Sequence, residues 1–301
     1  MKTVQLWRRM ESCGGLGIRL VRAAVCCRAT RIASLALTAA VVTLVEMPAA
    51  AQGRGGRQAS EKAGAFTRLP DGKPNMQGYW QTRNFFSAFD LETHEKAEFG
   101  VPAGKGVVVD PPNGKIPYQP WALEKKKDIV EHHLFDDPQA HCWLSGVPRQ
   151  MYTPFGFQIL QPPGNVVLLY EAFHSYRIIP LDGRPHASDA IRMFEGDSRG
   201  HWEGDTLVVD VTNQNEKTWF DMAGNFHSDA LHVIEHYTMT DANTIKYDAT
   251  LEDPKVYTQP WKIAFEIGRN MEPNYEQMEF ACVEGEQDLQ HYTASEGAKK
   301  K

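Results

Sequence analysis

Residues 196–237 read GDSRGHWEGDTLVVDVTNQNEKTWFDMAGNFHSDALHVIEHY, and the periodicity of this stretch decides the fold class. Over 206–212, Leu207, Val209 and Val211 fall on one side of an extended chain, while Thr206, Val208, Asp210 and Thr212 fall on the other. Glu203-Gly204-Asp205 precedes this strand, and glycine supplies the positive φ that a short hairpin needs, with 200–202 as the other arm. Over 230–239, His232, Ile234, His236 and Thr238 alternate with Leu231, Val233, Glu235 and Tyr237. Between the two strands lies a long polar loop, 213–227.

The same pattern extends outward. Strands are expected at 155–161, 166–172 and 176–181, with Pro162-Pro163-Gly164-Asn165 turning between the first two. A hairpin over 230–251 turns at Asp241-Ala242-Asn243, and a last strand covers 261–267. Upstream, a short strand is expected near Tyr79-Trp80, irregular extended chain over 87–118, and a helix from Pro120 through 133. On that helix Trp121, Leu123 and Ile129 are expected to face the core. Short strands separated by turn signals, with no helix of the βαβ kind between them, predict a mainly β protein. The expected fold is an antiparallel calycin- or lipocalin-like barrel, with a β-sandwich as the alternative, preceded by an irregular N-terminal arm with one short helix.

The first 51 residues read differently. Seven Lys and Arg residues accompany an apolar run at 32–45 and the small-residue stretch Ala49-Ala50-Ala51. Basic, apolar and small-residue segments in that order predict a secretory signal peptide, and the run is short for a membrane span, the alternative being an uncleaved anchor. The expected organisation is a leader at 1–51, a flexible linker at 52–74, an arm at 75–150, an antiparallel β domain at 151–290 and a disordered tail at 291–301. The whole chain carries a net charge of −6, and loss of seven basic and two acidic residues with the leader brings it to −11. An acidic exported domain, periplasmic or secreted, argues against nucleic acid and anionic membrane as partners and leaves a small-molecule ligand or substrate. Cys142 and Cys282 are the two cysteines beyond the leader, and in an oxidising compartment they predict one disulfide, two buried thiols being the alternative.

Candidate chemistry concentrates in the opening stretch. His232 and His236 have the spacing of a helical chelate, but on a strand four residues span ~13 Å, too far for one ion. No metal site is expected from local spacing, and a metal would need scattered histidines such as His174, His201 and His227. No Gly-rich phosphate loop is present, so no cofactor is expected. Acid–base chemistry fits better: His232 or His227 as base or acid, Asp229 or Asp221 as the partner carboxylate, and Arg199 as stabiliser of a developing anion. Trp202, Trp219, Tyr170 and Tyr152 would form aromatic walls, with Asp210 and His201 as further substrate contacts.

The run Gly196-Asp-Ser-Arg-Gly-His-Trp-Glu-Gly-Asp-Thr-Leu-Val-Val-Asp210 resembles a family of exported bacterial proteins of unassigned function. Lys217-Thr-Trp-Phe-Asp221, His227-Ser-Asp-Ala-Leu-His232, Asp253-Pro254, Pro74-Asn-Met-Gln-Gly-Tyr-Trp80 and Asp137-Pro-Gln-Ala-His-Cys142 carry the same resemblance, which implies export. The expected function is an exported, cofactor-independent lyase, isomerase or hydrolase acting on a small aromatic or apolar oxygenated compound. A non-catalytic lipocalin-like periplasmic binding protein is the alternative, and a metal-dependent enzyme the third.

Overall fold

A computed structural model describes residues 66–96, 102–173, 175–280 and 282. The leader expected at 1–51, the start of the linker and the tail expected at 291–301 lie outside these residues, as does His174. Residues 66–74, within the stretch expected as a linker, form a tight turn that Arg68 fastens to Asp205 through two bonds of 2.6 and 2.9 Å.

The described strands are β1 (Gly78–Thr82), β2 (Val108–Asp110), β3 (Phe157–Leu160), β4 (Asn165–Tyr170), β5 (Tyr176–Pro180), β6 (Asp197–Glu203), β7 (Thr206–Thr212), β8 (His232–Asp241), β9 (Thr244–Glu252) and β10 (Trp261–Arg269). They pair antiparallel in the order β5-β4-β3-β1-β10-β9-β8-β7-β6, with β2 added beside β10. The sheet curls until its two ends, β5 and β6, lie side by side without a hydrogen-bonded ladder, giving a nearly closed barrel. This is the mainly β antiparallel barrel that the alternation predicts, not the sandwich.

Alternation decides which residues fill it. Leu207, Val209 and Val211 of β7, Val233 and Tyr237 of β8, and Ile245, Tyr247, Ala249 and Leu251 of β9 are all buried. Register places Leu207 opposite Tyr237 and Tyr237 opposite Tyr247, so these side chains form continuous rows across the inner face. Burial of each Val, Leu or Ile among them stabilises the fold by ~1.5–3 kcal/mol. Trp80, Phe157, Tyr152, Phe265 and Trp261 fill the middle, with Tyr247 and Phe265 rings 4.8 Å apart. Aromatic side chains therefore occupy the space in which a hollow barrel would hold a ligand.

The N-terminal arm is woven into this sheet. β1 sits between β3 and β10, pairing Trp80 with both Phe157 and Arg269. β2 forms in the stretch expected to be irregular, where Val108 pairs with Ile263. The helix α1 (Pro120–Asp128) starts at its proline as expected and continues as a π turn over Ile129–His133. Its inward stripe is narrower than the sequence reading: Ala122 and Ile129, seven residues apart, are buried, whereas Trp121 and Leu123 are exposed. Trp121 is held at the rim by its indole N–H, which donates to the Lys255 carbonyl at 3.2 Å.

Cys142 and Cys282 form the expected disulfide across 140 residues. In the chain-entropy account a loop of that length stabilises by ~5 kcal/mol. No helix among the described residues is long and apolar enough to cross a membrane.

Where the barrel closes is set by small size. A Cβ at Gly200 on β6 would lie 2.7 Å from Cγ2 of Ile179 and 2.8 Å from Cδ2 of Leu181. Glycine thus lets β5 and β6 meet at that level. Nearer Ser175 and Asp197 the two edges part, and a cavity opens between them.

Candidate functional site at the barrel seam

The residues singled out from sequence fall in several places. Arg199, Asp210 and His232 are brought together, on the outer face of β6–β8. His232 Nε2 lies 2.9 Å from Asp210 Oδ1, and His186 Nε2 lies 3.2 Å from the same oxygen. His186 Nδ1 is 3.0 Å from Asp197, which also accepts from Arg199 at 2.6 Å and from the Ala187 N–H at 2.8 Å. The result is a chain of alternating cations, imidazoles and carboxylates, Arg199–Asp197–His186–Asp210–His232. Its His232 end faces water, with the Asp210 side chain 43% exposed.

The other candidates lie elsewhere. His227 is buried, with Nδ1 2.8 Å from the Ser228 carbonyl and Nε2 2.7 Å from the Thr218 hydroxyl. A carbonyl only accepts, so Nδ1 carries the proton and Nε2 accepts from Thr218. Burial pushes this imidazole below its usual range, against the pull of the Ser228 carbonyl and Asp253. Asp229 pairs with Lys255 at 2.6 Å. Asp221 is fully buried and gathers the Leu91 N–H at 2.9 Å, the Asn225 N–H at 3.1 Å and the Asn225 amide at 2.5 Å. Burial and the neighbouring Asp90 raise its pKa to about 7. His201 is exposed beside Glu203, and Trp202 is partly buried with Lys73 5.8 Å from its ring. Trp219 is partly buried, and its carbonyl faces Arg149 at 3.5 Å. The Tyr152 hydroxyl donates to the Phe220 carbonyl at 2.8 Å. Tyr170 is buried on the inner face of β4, with its hydroxyl 3.5 Å from Met151 Sδ.

Tyr170 belongs to a second ionisable cluster, inside the barrel. Arg177 points inward from β5 and Glu235 from β8, each with a side chain no more than 2% exposed. The guanidinium donates to both Glu235 oxygens, at 3.2 and 2.5 Å, and to Ser198 Oγ at 3.0 Å. The hydroxyls of Tyr237 and Tyr247 each donate to Glu235 at 2.8 Å. Burial alone would lower the Arg177 pKa, but Glu235, Tyr170 and Tyr237 together outweigh it and hold the guanidinium well above its usual value. Burial and the same carboxylate push both tyrosines up.

Glu195 completes this cluster. The connection from β5 to β6 crosses outside the sheet, pinned where the Asn213 amide donates to the Ser188 and Ile191 carbonyls at 2.9 and 3.0 Å. It then turns inward through Glu195 and Gly196. Gly196 has φ 66°, and a Cβ there would lie 2.6 Å from the Thr212 carbonyl oxygen, so this turn requires glycine. Glu195 is 9% exposed; Oε1 accepts a long bond from the Gly146 N–H at 3.4 Å, while Oε2 is buried with no partner. Arg177 Nε is also buried without a partner. Burial raises the Glu195 pKa to about 7, against the pull of Arg177.

Glu195, Arg177 and Ser198 line the seam cavity, which measures about 380 Å³. Leu144, Tyr176, Ile178, Met193 and Phe194 supply its apolar walls. Polar groups below and apolar groups around them are the usual composition of a small-molecule site. A second cavity of about 450 Å³ lies beside α1, but Lys115 and Lys127 at its edge are each paired to a glutamate, at 2.7 and 2.6 Å.

Sequence reading missed Arg177, Glu195 and Glu235 as site residues. For two of them a signal exists. Glu235 is in phase with Val233 and Tyr237, and Arg177 with Ile179, so each is a charge in the core register of a strand. Glu195 lies in a connection, where no periodicity speaks for burial. Among the described residues no group of three or more His, Cys, Asp or Glu is disposed to hold a metal ion. No protein-family model matches the chain, and no curated protein matches it in sequence.

Proposed function

We infer that this protein is an exported acid–base enzyme acting on a small aromatic or apolar oxygenated compound in the seam cavity. The observation that carries the reading is Glu195: a buried carboxyl with one oxygen unpartnered, in the wall of a cavity that also presents Arg177 and Ser198. A carboxyl whose pKa lies near 7 can both give and take a proton at neutral pH. In this reading Glu195 transfers a proton to or from a substrate oxygen, and the Ser198 hydroxyl, held by Arg177, donates to the oxygen on which charge develops. The Arg199–Asp197–His186–Asp210–His232 chain adjoins the cavity through Asp197 and opens to water at His232. It supports proton exchange between the cavity wall and solvent. Export is supported by the basic and apolar N-terminal pattern, by the resemblance to exported bacterial proteins and by the Cys142–Cys282 disulfide.

The test is a screen of small aromatic ketones, esters and lactones in D2O, read by NMR for product or for deuterium at carbon. Turnover in the wild type that falls at least 100-fold in Glu195→Gln is the expected result, within the range a general acid or base contributes. Turnover unchanged in that variant sinks the assignment of Glu195, and binding without turnover turns the reading to a periplasmic carrier.

A further inference from the structure

The seam cavity also selects the chemistry of what it holds, an argument that rests on the cavity being the functional site. Its polar wall, at Glu195 and Ser198, offers hydroxyl donors. Ser198 Oγ already accepts from Arg177, so its own hydrogen is left to donate. Glu195, whose Oε2 has no partner, carries an O–H in its neutral form. The one other carboxylate in the wall, Asp197, is occupied by Arg199 on one oxygen and by His186 and the Ala187 N–H on the other. Below the Glu195 pKa of about 7, a ligand atom placed between the Glu195 carboxyl and Ser198 Oγ therefore meets two hydroxyl donors and accepts from them.

Charge narrows the choice further. The Arg177 cation is neutralised by Glu235 through two bonds, and Arg199 by Asp197. No cation on the floor is left over to balance an incoming carboxylate, and an unbalanced buried charge is costly. A neutral acceptor, such as the oxygen of a ketone, ester or amide, meets the donors without that cost. The walls favour a flat apolar body: Phe194 and Tyr176 line the cavity, and Trp143 extends the aromatic surface with its ring 5.7 Å from Phe194 at an angle of 70°.

We propose that the seam cavity binds a small neutral aromatic carbonyl compound, its ring against Phe194 and Tyr176 and its carbonyl oxygen accepting from the Glu195 carboxyl and the Ser198 hydroxyl.

The probes are 2-acetylnaphthalene and 2-naphthoate, similar in shape but neutral and anionic respectively. Each is titrated into the full chain at pH 6 and followed by quenching of tryptophan fluorescence and by calorimetry. The ketone binds at least tenfold more tightly than the acid. Glu195→Leu, which removes the donor, weakens ketone binding at least tenfold, whereas Glu195→Gln, which keeps an N–H, stays within about threefold of the wild type. Thermal melts confirm that both variants are folded, and Phe194→Ala, outside the ionic cluster, gives an independent loss of ketone affinity. The proposal is overturned by naphthoate binding as tightly as the ketone, by ketone affinity unchanged in Glu195→Leu, or by binding of neither probe. Ketone binding without turnover of any carbonyl compound leaves this proposal standing and removes the catalytic reading. Turnover of another substrate class that depends on Glu195, with no ketone binding, does the reverse.

Discussion

The two faces of β6–β8 carry the same kinds of side chain to opposite effect. Ser198 and Glu235 point into the barrel, where Glu235 takes four hydrogen bonds from Arg177, Tyr237 and Tyr247. Arg199 and Asp210, each one residue from an inward position, point out, with His232 on the next strand. Inside, a charge without its partner would be stranded in a low-dielectric interior. Outside, Asp197 is still buried, but at the His232 end water reaches the His232–Asp210 pair, screens it and substitutes for a partner lost there. Clusters of like composition thus contribute to the fold on different scales, set by which side of a strand they occupy.

The largest expected effect is on the inner pair. Arg177→Met or Glu235→Leu alone leaves the opposite charge buried and unpaired and should destabilise by about 3–5 kcal/mol. The double variant removes both charges and should recover most of that loss, since an apolar pair of similar volume can replace a buried ion pair. Urea unfolding of the three variants measures this as shifts in midpoint. Single variants within 1 kcal/mol of the wild type would mean that water reaches the pair and that the two faces do not differ.

Legibility in the sequence follows the same divide. The barrel was legible because strand alternation is a local property: β7 runs over the seven residues that the pattern marks, and β8 and β9 begin and end within two residues of the expected bounds. The placement of β1 between β3 and β10 was not legible, because pairing partners far apart in sequence leave no mark on either strand. The disulfide was legible from the expected export and from the count of two cysteines beyond residue 51. Of the site, Arg199, Asp210 and His232 do meet, but through His186, which lies in a connection whose path depends on Asn213 capturing three of its carbonyls. Asp221 and His227 are close in sequence yet serve separate structural roles, Asp221 holding Leu91 and Asn225 and His227 bonded to Thr218 and Ser228. Histidines and aspartates drew the sequence reading toward the polar loop. The cavity is instead built around charges placed where the pattern predicts apolar residues.

A middle-sized effect should appear as pH dependence. The Glu195 pKa is raised to about 7 in the folded chain, so between ~4.5 and ~7 the folded state holds a proton that the unfolded state has released. Its contribution to stability is complete below that window and is lost as pH rises through 7. Asp221, raised to about 7, acts in the same sense; His227, lowered by burial, acts in the opposite one. Comparing wild type with Glu195→Gln isolates the single group: the difference in unfolding free energy should change by up to about 3 kcal/mol between pH 4.5 and 8. A difference that stays constant across the window would show that Glu195 titrates as an exposed carboxyl and does not belong to the inner set.

The smallest effect is expected on the outer chain, and it is the sharper test of the comparison because it predicts near-silence. His232 and Asp210 are 2.9 Å apart, a distance that would count heavily inside the barrel. With their side chains 35% and 43% exposed, the pair is worth ~0–1 kcal/mol. His232→Ala should shift the unfolding midpoint little, and 0.5 M NaCl should shrink even that shift. Asp210→Asn is more demanding, since Asp210 meets both His186 and His232. Its effect should still stay below about 1 kcal/mol, because water can hydrate either imidazole. A loss above 2 kcal/mol in either variant would mean that this face is covered in solution, and the outer chain would then rank with the inner cluster. If stability is untouched while proton exchange at the seam cavity slows, the chain is a conduit on a surface the fold does not need.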